Sequence, residues 1–360
     1  MTDRAGSDPR SAKGVASAES RQGPVVRSPH VPPLWLAASL GLLLCAILVG
    51  LMAGAAGIPI HDVLHGLMAG GRGSQSAAIV WRLRLPRVLL AGMVGGTLAV
   101  AGAAYQGVFS NPLADPYLLG AAAGAELGAT IAIAFIPAAL GANTVPVLAF
   151  IGAAGAVGAA FVLGRSAGRG RSPTMLILAG VAIASFLTAI QTYIQQRESG
   201  VLRQVYSFTL GRLGTVGWGS LRLALPYVVV TVVVIMLHRR HLDVLSLGDD
   251  EARSLGINVG QARLALVVAA TIGTAAVVAV AGAIAFVGII VPHTVRLAVG
   301  SSYRVVVPLS LILGAAFLIL ADTLARTIVA PAELPIGVIT AFFGAPFFLV
   351  VLRRSRGLGR

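Results

Sequence analysis

Cysteine occurs once in this chain, at Cys45, so it can build neither a disulfide framework nor a cysteine-based metal site. Lysine also occurs once, at Lys13 in "SAKG". No G-x-x-x-x-G-K-[ST] loop exists, which excludes ATP binding by that route. Charge is scarce, at 11% of residues against about 25% in soluble domains. The 13 acids are outnumbered by 27 Lys and Arg, for a net charge of +14. Such a balance can signal nucleic acid, but these arginines flank apolar runs and no basic groove interleaved with aromatics is visible. Membrane topology accounts for them, and nucleic acid is not expected as a partner.

What is abundant is apolar. Hydrophobic residues make up 57% of the chain, and there are 44 glycines. Apolar runs of roughly 18 residues or more recur, the mark of spanning helices, and small residues let helix backbones approach closely in lipid. The expected fold class is an all-α polytopic membrane protein. Residues 1–33 are polar and rich in Ser, Pro and Arg, and read as a disordered cytoplasmic tail. The first apolar run is too long for the roughly 7–15 residues of a signal-peptide core, so it should remain as a span.

Runs with little or no charge lie at 34–56, 88–108, 117–140, 144–164, 174–196, 223–237, 264–292, 305–321 and 334–352. The seventh is too long for one typical helix and short for two, and it contains Gly282, Gly288 and Pro292. Arginine placement decides. With the N-terminus inside and this region split, the second part reaching about residue 299, cytoplasmic segments hold 18 of the 27 Lys and Arg. Left whole, it gives 13 inside and 14 outside, which is no bias. The positive-inside rule therefore favours about ten transmembrane helices over 34–352, with both termini cytoplasmic and a short tail at 353–360. A faint inverted repeat is possible. "AVAGA" at 99–103 recurs at 279–283, and at the same offset Pro112 matches Pro292 and Gly120 matches Gly300.

Four of the scarce acids, Asp243, Asp249, Asp250 and Glu251, sit in one stretch, "HLDVLSLGDDEARSLGINVG", between two apolar runs. Ser246 with Asp249 fits an S-x-x-D cap, or Asp249 itself caps. Asp250 and Glu251 would then lie in the first turn, Arg253 in the last, and Gly256 at the C′ position. A tether needs only a few residues, whereas 238–263 spends many and carries helix start and stop signals. Leu245, Leu247, Leu255 and Ile257 stand beside the charges as apolar knobs. A short amphipathic helix of this kind suits docking into a groove on a partner. Ion coupling, the rival energy source, usually needs ionisable groups deep in the spans, and Glu126 is the only acid well inside an apolar run.

Several blocks resemble the membrane permeases of ABC importers for iron(III)-siderophores, haem and cobalamin, the type II importers. They are "RLPRVLLAGMVGGTLAVAGAAYQGVFSNPLADPYLLG" (84–120), "LSLGDDEARSLGINV" (245–259), "GAIAFVGIIVPHTVRLAVG" (282–300) and "LADTLARTIVAPAELPIGVITAFFGAPFF" (320–348). The resemblance covers nearly everything from residue 34 onward. It implies ten spans, a homodimer or a dimer with a close paralogue, two ATPase subunits, an extracytoplasmic substrate-binding protein, and a place in the bacterial cytoplasmic membrane. No cofactor is then expected on this chain. ATP and Mg belong to the partner ATPase.

The same resemblance assigns ATPase coupling to Leu245, Leu247, Gly248, Asp249, Glu251, Arg253, Leu255 and Gly256. It assigns binding-protein docking to Arg84, Arg87 and Arg326. Alternatives stand beside these roles: Arg84 and Arg87 as membrane-edge anchors, and Arg326 paired with Asp322 at i, i+4. Asn111 and its two prolines read as a tight turn, His293 as bonded to neighbouring backbone, and Glu333 as a cap for the last span. Phe208 and Arg212 depart from the family's habit at the external mouth. A chelated cargo would need a wide pathway with weakly interacting walls, for which Gln191, Thr192, Gln195 and Gln196 are the candidates. Iron-siderophore is the expected cargo, with haem or cobalamin next.

Overall fold

The structure, a computed structural model, describes residues 31–54, 57–137, 139, 141, 143–166, 173–213 and 217–357. Most of the expected N-terminal tail, and residues 358–360, lie outside them. Among the described residues there are fifteen α-helices and no strand. In chain order they are α1 (Pro33–Met52), α2 (Ile60–Met68), α3 (Gln75–Ile79), α4 (Leu85–Val108), α5 (Ala121–Phe135), α6 (Thr144–Ser166) and α7 (Pro173–Arg197). Then follow α8 (Leu202–Thr209), α9 (Gly219–Leu237), α10 (Arg239–Leu245), α11 (Asp249–Ser254), α12 (Val259–Ala281), α13 (Val287–Val299), α14 (Tyr303–Ala325) and α15 (Ile336–Gly357). A π-helical turn, Val80–Arg84, joins α3 to α4, so that one rod runs from Gln75 to Val108.

Seven of these rods are long and apolar enough to cross a membrane, and three shorter apolar stretches (Ala121–Phe135, Val287–Val299 and Ile336–Val351, the apolar part of the 22-residue α15) bring the number to ten. The chain is a polytopic all-α membrane protein. Its interior is built by the 75–108 rod, α12 and α14, which bury most of their residues, while α1, α7 and α9 bury few of theirs. Small residues explain how the inner rods pack. A Cβ on Gly95 would collide with the Gly314 carbonyl, and one on Gly124 with that of Gly152. The α4–α14 and α5–α6 crossings are therefore backbone to backbone, which in lipid replaces hydrophobic burial as the source of attraction.

Local chemistry sets the ends. Asn258 caps α12 by accepting from the Gln261 amide, and Ser74 caps α3 by accepting from Ala77. The apolar region after residue 264 breaks into two helices as the arginines required. α12 ends at Ala281, Gly282 turns with φ +74°, and Phe286 enters α13 in the left-handed region at φ +72°. A non-glycine residue held there costs on the order of 1–3 kcal/mol, which tertiary contacts must offset. The Phe286 ring supplies one such contact, filling the space beside Gly344 of α15 that a Cβ would need.

The apolar run at 117–140 yields less helix than its length suggests, because α5 covers only Ala121–Phe135. Residues 109–120 form a non-helical approach that ends at Gly120 with φ +83°. The same sequence of lengths occurs twice. A long helix, a short one and two long ones appear as α4, α5, α6 and α7, and again as α12, α13, α14 and α15. The first long helix of each set packs on the third of the other, α4 on α14 and α12 on α6. The "AVAGA" copies are not themselves equivalent, since 99–103 lies inside α4 whereas 279–283 straddles the end of α12.

Candidate functional site

Polar chemistry gathers at the two ends of the bundle. At one end, Asp249 opens α11. Gly248, with φ +126°, takes the position before it, and the Ser246 hydroxyl donates to the Asp243 carbonyl instead of capping the helix. Neither expected cap forms: Gly248 holds the N-cap position two residues after Ser246, and Asp249, the alternative cap, is the first helical residue. The other end of α11 closes as read from sequence. Gly256, at φ +79°, donates to the Arg253 carbonyl and Ile257 to that of Ala252, the paired bonds of a Schellman motif.

Acids in the first turn complement the helix dipole, and they also fix α11 in place. Asp249 bridges to Arg263 at 2.9 Å, tying α11 to α12, while Arg253 pairs with Asp250 at 2.7 Å. Ala252 and Leu245 face inward and are fully buried. Leu247 and Leu255 face outward at 64% and 63% exposure. Glu251 is exposed as well. Beneath the helix lies an open cleft of about 710 Å³, lined in part by Phe161, Leu176, Arg253 and Arg263. The result is a rigid charged knob with two leucines presented to whatever lies beyond.

α10, which the sequence did not mark as a helix, leads into this knob. Its Asp243 reaches α14: the carboxylate accepts from the Tyr303 amide at 2.5 Å and the Ser302 hydroxyl at 3.0 Å, with Arg304 at 3.4 Å. The first turn of α14 is thus capped by an acid sixty residues earlier in the chain. The signal for it was present, because an acid is rare in this sequence and Asp243 is not one of those that open α11.

At the opposite end, the three arginines expected to dock a partner are engaged within the chain. Arg84 donates to the carbonyls of Leu51 and Met52 at 2.7 and 2.8 Å. Arg326 donates to those of Gly50 and Ala53 at 2.5 and 2.9 Å. Both guanidiniums therefore satisfy the last carbonyls of α1, which have no partners within the helix. Arg326 also lies 3.4 Å from Asp322, the i, i+4 pairing considered from sequence, and burial pulls its pKa down. Arg87 forks between two carboxylates, Asp322 at 2.9 Å and Glu333 at 2.9 Å. Asp322 is 2% exposed, whereas the Glu333 side chain is about half exposed. The hydrogen bond from Arg87 holds Glu333 below the usual carboxylate range. Glu333 was expected to cap the last helix; it is drawn instead to Arg87, and α15 starts only at Ile336.

Between the ends, Gln191 is buried on α7 and hydrogen-bonds Glu126 of α5. Thr192 donates to the Thr188 carbonyl, Gln195 is half-buried and Gln196 is exposed. Of the four pathway candidates only Gln196 and Thr192 thus present exposed positions. His293 does not bond backbone as expected: its Nδ1 is buried without a partner and its ring meets Phe347 edge-on. Asn111 forms a turn by accepting from the Leu113 amide. Arg212 is exposed, and its backbone is fixed by donation to the Ala281 carbonyl at 2.7 Å. Among the described residues no group of three or more His, Cys, Asp or Glu is placed to hold a metal.

Residues 42–354, which include both end clusters, match the FecCD transport family. The chain belongs to that family. This FecCD chain is 43% identical over 284 residues to the hemin transport system permease protein HmuU of Yersinia pestis, covering 77% of this chain and 84% of that one. It is 42% identical over 282 residues to the cobalamin import system permease protein BtuC of Halobacterium salinarum, covering 76% and 73%. Among solved structures, an inward-facing metal-chelate type ABC transporter aligns at 26% identity with a TM-score of 0.79, over 90% of this chain and 100% of the other. The FecCD chain is therefore a multi-pass permease of the ABC-importer kind, as its blocks implied.

Proposed function

We propose that this permease forms the pathway of an importer for a chelated-metal compound and that separate subunits hydrolyse the ATP, with Mg, that drives it. The observation that carries this reading is the α11 knob. Two exposed leucines, Leu247 and Leu255, flank a six-residue helix whose ends and orientation are fixed by Gly248, Gly256 and the Asp249–Arg263 bridge. A helix so fixed can transmit force, and exposed leucines beside charges suit a groove on an ATPase. In this reading the knob is cytoplasmic, as are both termini, and the membrane is the bacterial cytoplasmic membrane.

The Arg87 end then faces an extracytoplasmic binding protein. Arg87 is the docking residue of the three, since its partner Glu333 is exposed and a carboxylate from outside can replace it. Arg84 and Arg326 hold α1 in place around it. The pathway lies between two copies of this chain, or this chain and a close paralogue, with α7 beside it. The names of the haem and cobalamin relatives support a bulky chelate as cargo, and an iron(III)-siderophore is the form proposed here.

The test is capture from the native host with an affinity tag on this chain. An ATPase subunit should co-purify from detergent-solubilised membranes, and Leu247→Asp with Leu255→Asp should reduce its yield at least tenfold, the effect of losing about 1.4 kcal/mol of binding. Equal yield from the double variant would defeat the assignment of α11.

A further inference from the structure

Pro292 lies inside α13 and has no amide to give the carbonyl of Gly288, four residues before it. That carbonyl is not left bare. Gln106 of α4, itself 1% exposed, donates to it through Nε2 at 3.0 Å. The side-chain amide stands in for the missing helix bond. The contact is close because α4 and α13 cross backbone to backbone one turn away, where a Cβ on Gly102 would fall on Gly288. Gly288, Pro292 and Arg296 share one face of α13, and Gly102 and Gln106 share one face of α4.

The other end of the Gln106 amide is also held. Its Oε1 accepts from Arg296 Nη1. Arg296 Nη2 donates to the Tyr303 hydroxyl at 3.0 Å, with the guanidinium 5.0 Å from the ring centre. The backbone amide of Tyr303 donates in turn to Asp243 of α10. A line of hydrogen bonds, bridged covalently by the Tyr303 side chain between its amide and its hydroxyl, thus runs from the segment before the α11 knob to the Gly288 carbonyl that Pro292 leaves vacant.

We propose that Gln106 is the latch of a proline hinge in α13, and that the line Asp243–Tyr303–Arg296–Gln106 passes displacement of the α10–α11 segment to that hinge. The latch stands on geometry alone; the driver rests on the proposed role of α11. When α10 moves, Asp243 shifts the first turn of α14. Tyr303 then carries Arg296 with it, and Arg296 draws Gln106 off Gly288. With its replacement donor gone, α13 is free to bend at Pro292. Gln106 and Asp243 are positioning residues in this scheme and need not touch cargo or nucleotide.

Amide hydrogen exchange on the full chain in lipid nanodiscs tests the latch without any partner. Gln106→Ala should speed exchange across 289–299 by about tenfold, the effect of one buried hydrogen bond. Gln106→Glu, which keeps the acceptor for Arg296 and loses the donor, should do the same and serves if the alanine variant does not fold. On a Pro292→Ala background, where an amide returns to Gly288, Gln106→Ala should be nearly silent. Asp243→Asn should raise exchange at 289–299 although it touches only α14. Unchanged exchange at 289–299 in both Gln106 variants overturns the latch. An Asp243→Asn effect confined to 302–306 overturns the line. For the driver, ATP with vanadate added to the complex should change protection at 289–299, and Asp243→Asn should abolish that change. If no ATPase co-purifies with the unaltered chain, the proposed function fails while the exchange result still decides the latch.

Discussion

Arg84 and Arg326 close the same helix end: one donates to the carbonyls of Leu51 and Met52, the other to those of Gly50 and Ala53. Residues far apart in sequence thereby fix how α1 meets α4 and α14. Arginine is suited to this because its planar fork serves two acceptors at once and stays charged when buried.

Arg326→Ala is expected to destabilise the protein strongly. It strips two carbonyls of α1 and leaves Asp322, buried at 2% exposure, with one partner fewer. Breaking a buried charged pair costs about 3–5 kcal/mol. Thermal unfolding in detergent should show the loss, and a melting temperature within a degree or two of the parent would contradict it.

The two carboxylates on Arg87 should behave unequally. Asp322→Asn should cost far more than Glu333→Gln, because the exposed Glu333 pair is worth about 0–1 kcal/mol and Asp322 is nearly inaccessible. Glu333, held below its ordinary 4.5 by Arg87, contributes stability above that pH and loses it as pH falls through the depressed value. Acid titration of unfolding in Glu333→Gln should therefore lack a small component below about pH 4.5 that the parent shows. Identical profiles would remove the pair from the account.

Asp115 should act in the opposite sense. It lies in the 109–120 approach to α5, accepts the Tyr117 amide, and burial pushes its carboxyl up to about 6. A carboxyl with a raised folded pKa favours the folded state when protonated, and that advantage is lost as pH rises from 3.8 through about 6. Asp115→Asn keeps an acceptor for Tyr117 and should raise stability at pH 8 relative to the parent. A lower melting temperature at pH 8 would contradict the assignment.

Gly256→Ala should unsettle α11 alone. Its φ of +79° places an L-residue in the left-handed region, at a cost of about 1–2 kcal/mol. Limited proteolysis at 255–258 should quicken while global unfolding stays near that of the parent. Unaltered cleavage would show that the helix does not depend on this closure.

Much of this architecture was legible in the sequence. The apolar runs gave the helical class, and arginine placement split the region after 264 where Gly282 breaks the chain. The acidic stretch at 241–260, with Gly256 and Arg253, gave the closure of α11. Hydropathy could not separate a spanning helix from an apolar approach, so the run at 117–140 hid a fifteen-residue α5. Nor could it show side chains reaching across the fold. Gln106 reads as an ordinary polar residue at a helix end until Pro292 is seen to leave Gly288 a vacant carbonyl. Arg84 and Arg326 look like external charges until α1 is seen ending against them.

Transport in proteoliposomes tests the central claim most directly. This chain, purified with whatever subunits it retains and supplied with its binding protein, would be offered an iron-55 hydroxamate siderophore, haemin and cyanocobalamin in turn. Uptake of one of them should require ATP, survive collapse of ion gradients, and vanish when Leu247→Asp and Leu255→Asp are introduced. Uptake by the chain alone, driven by an ion gradient without nucleotide, would contradict it.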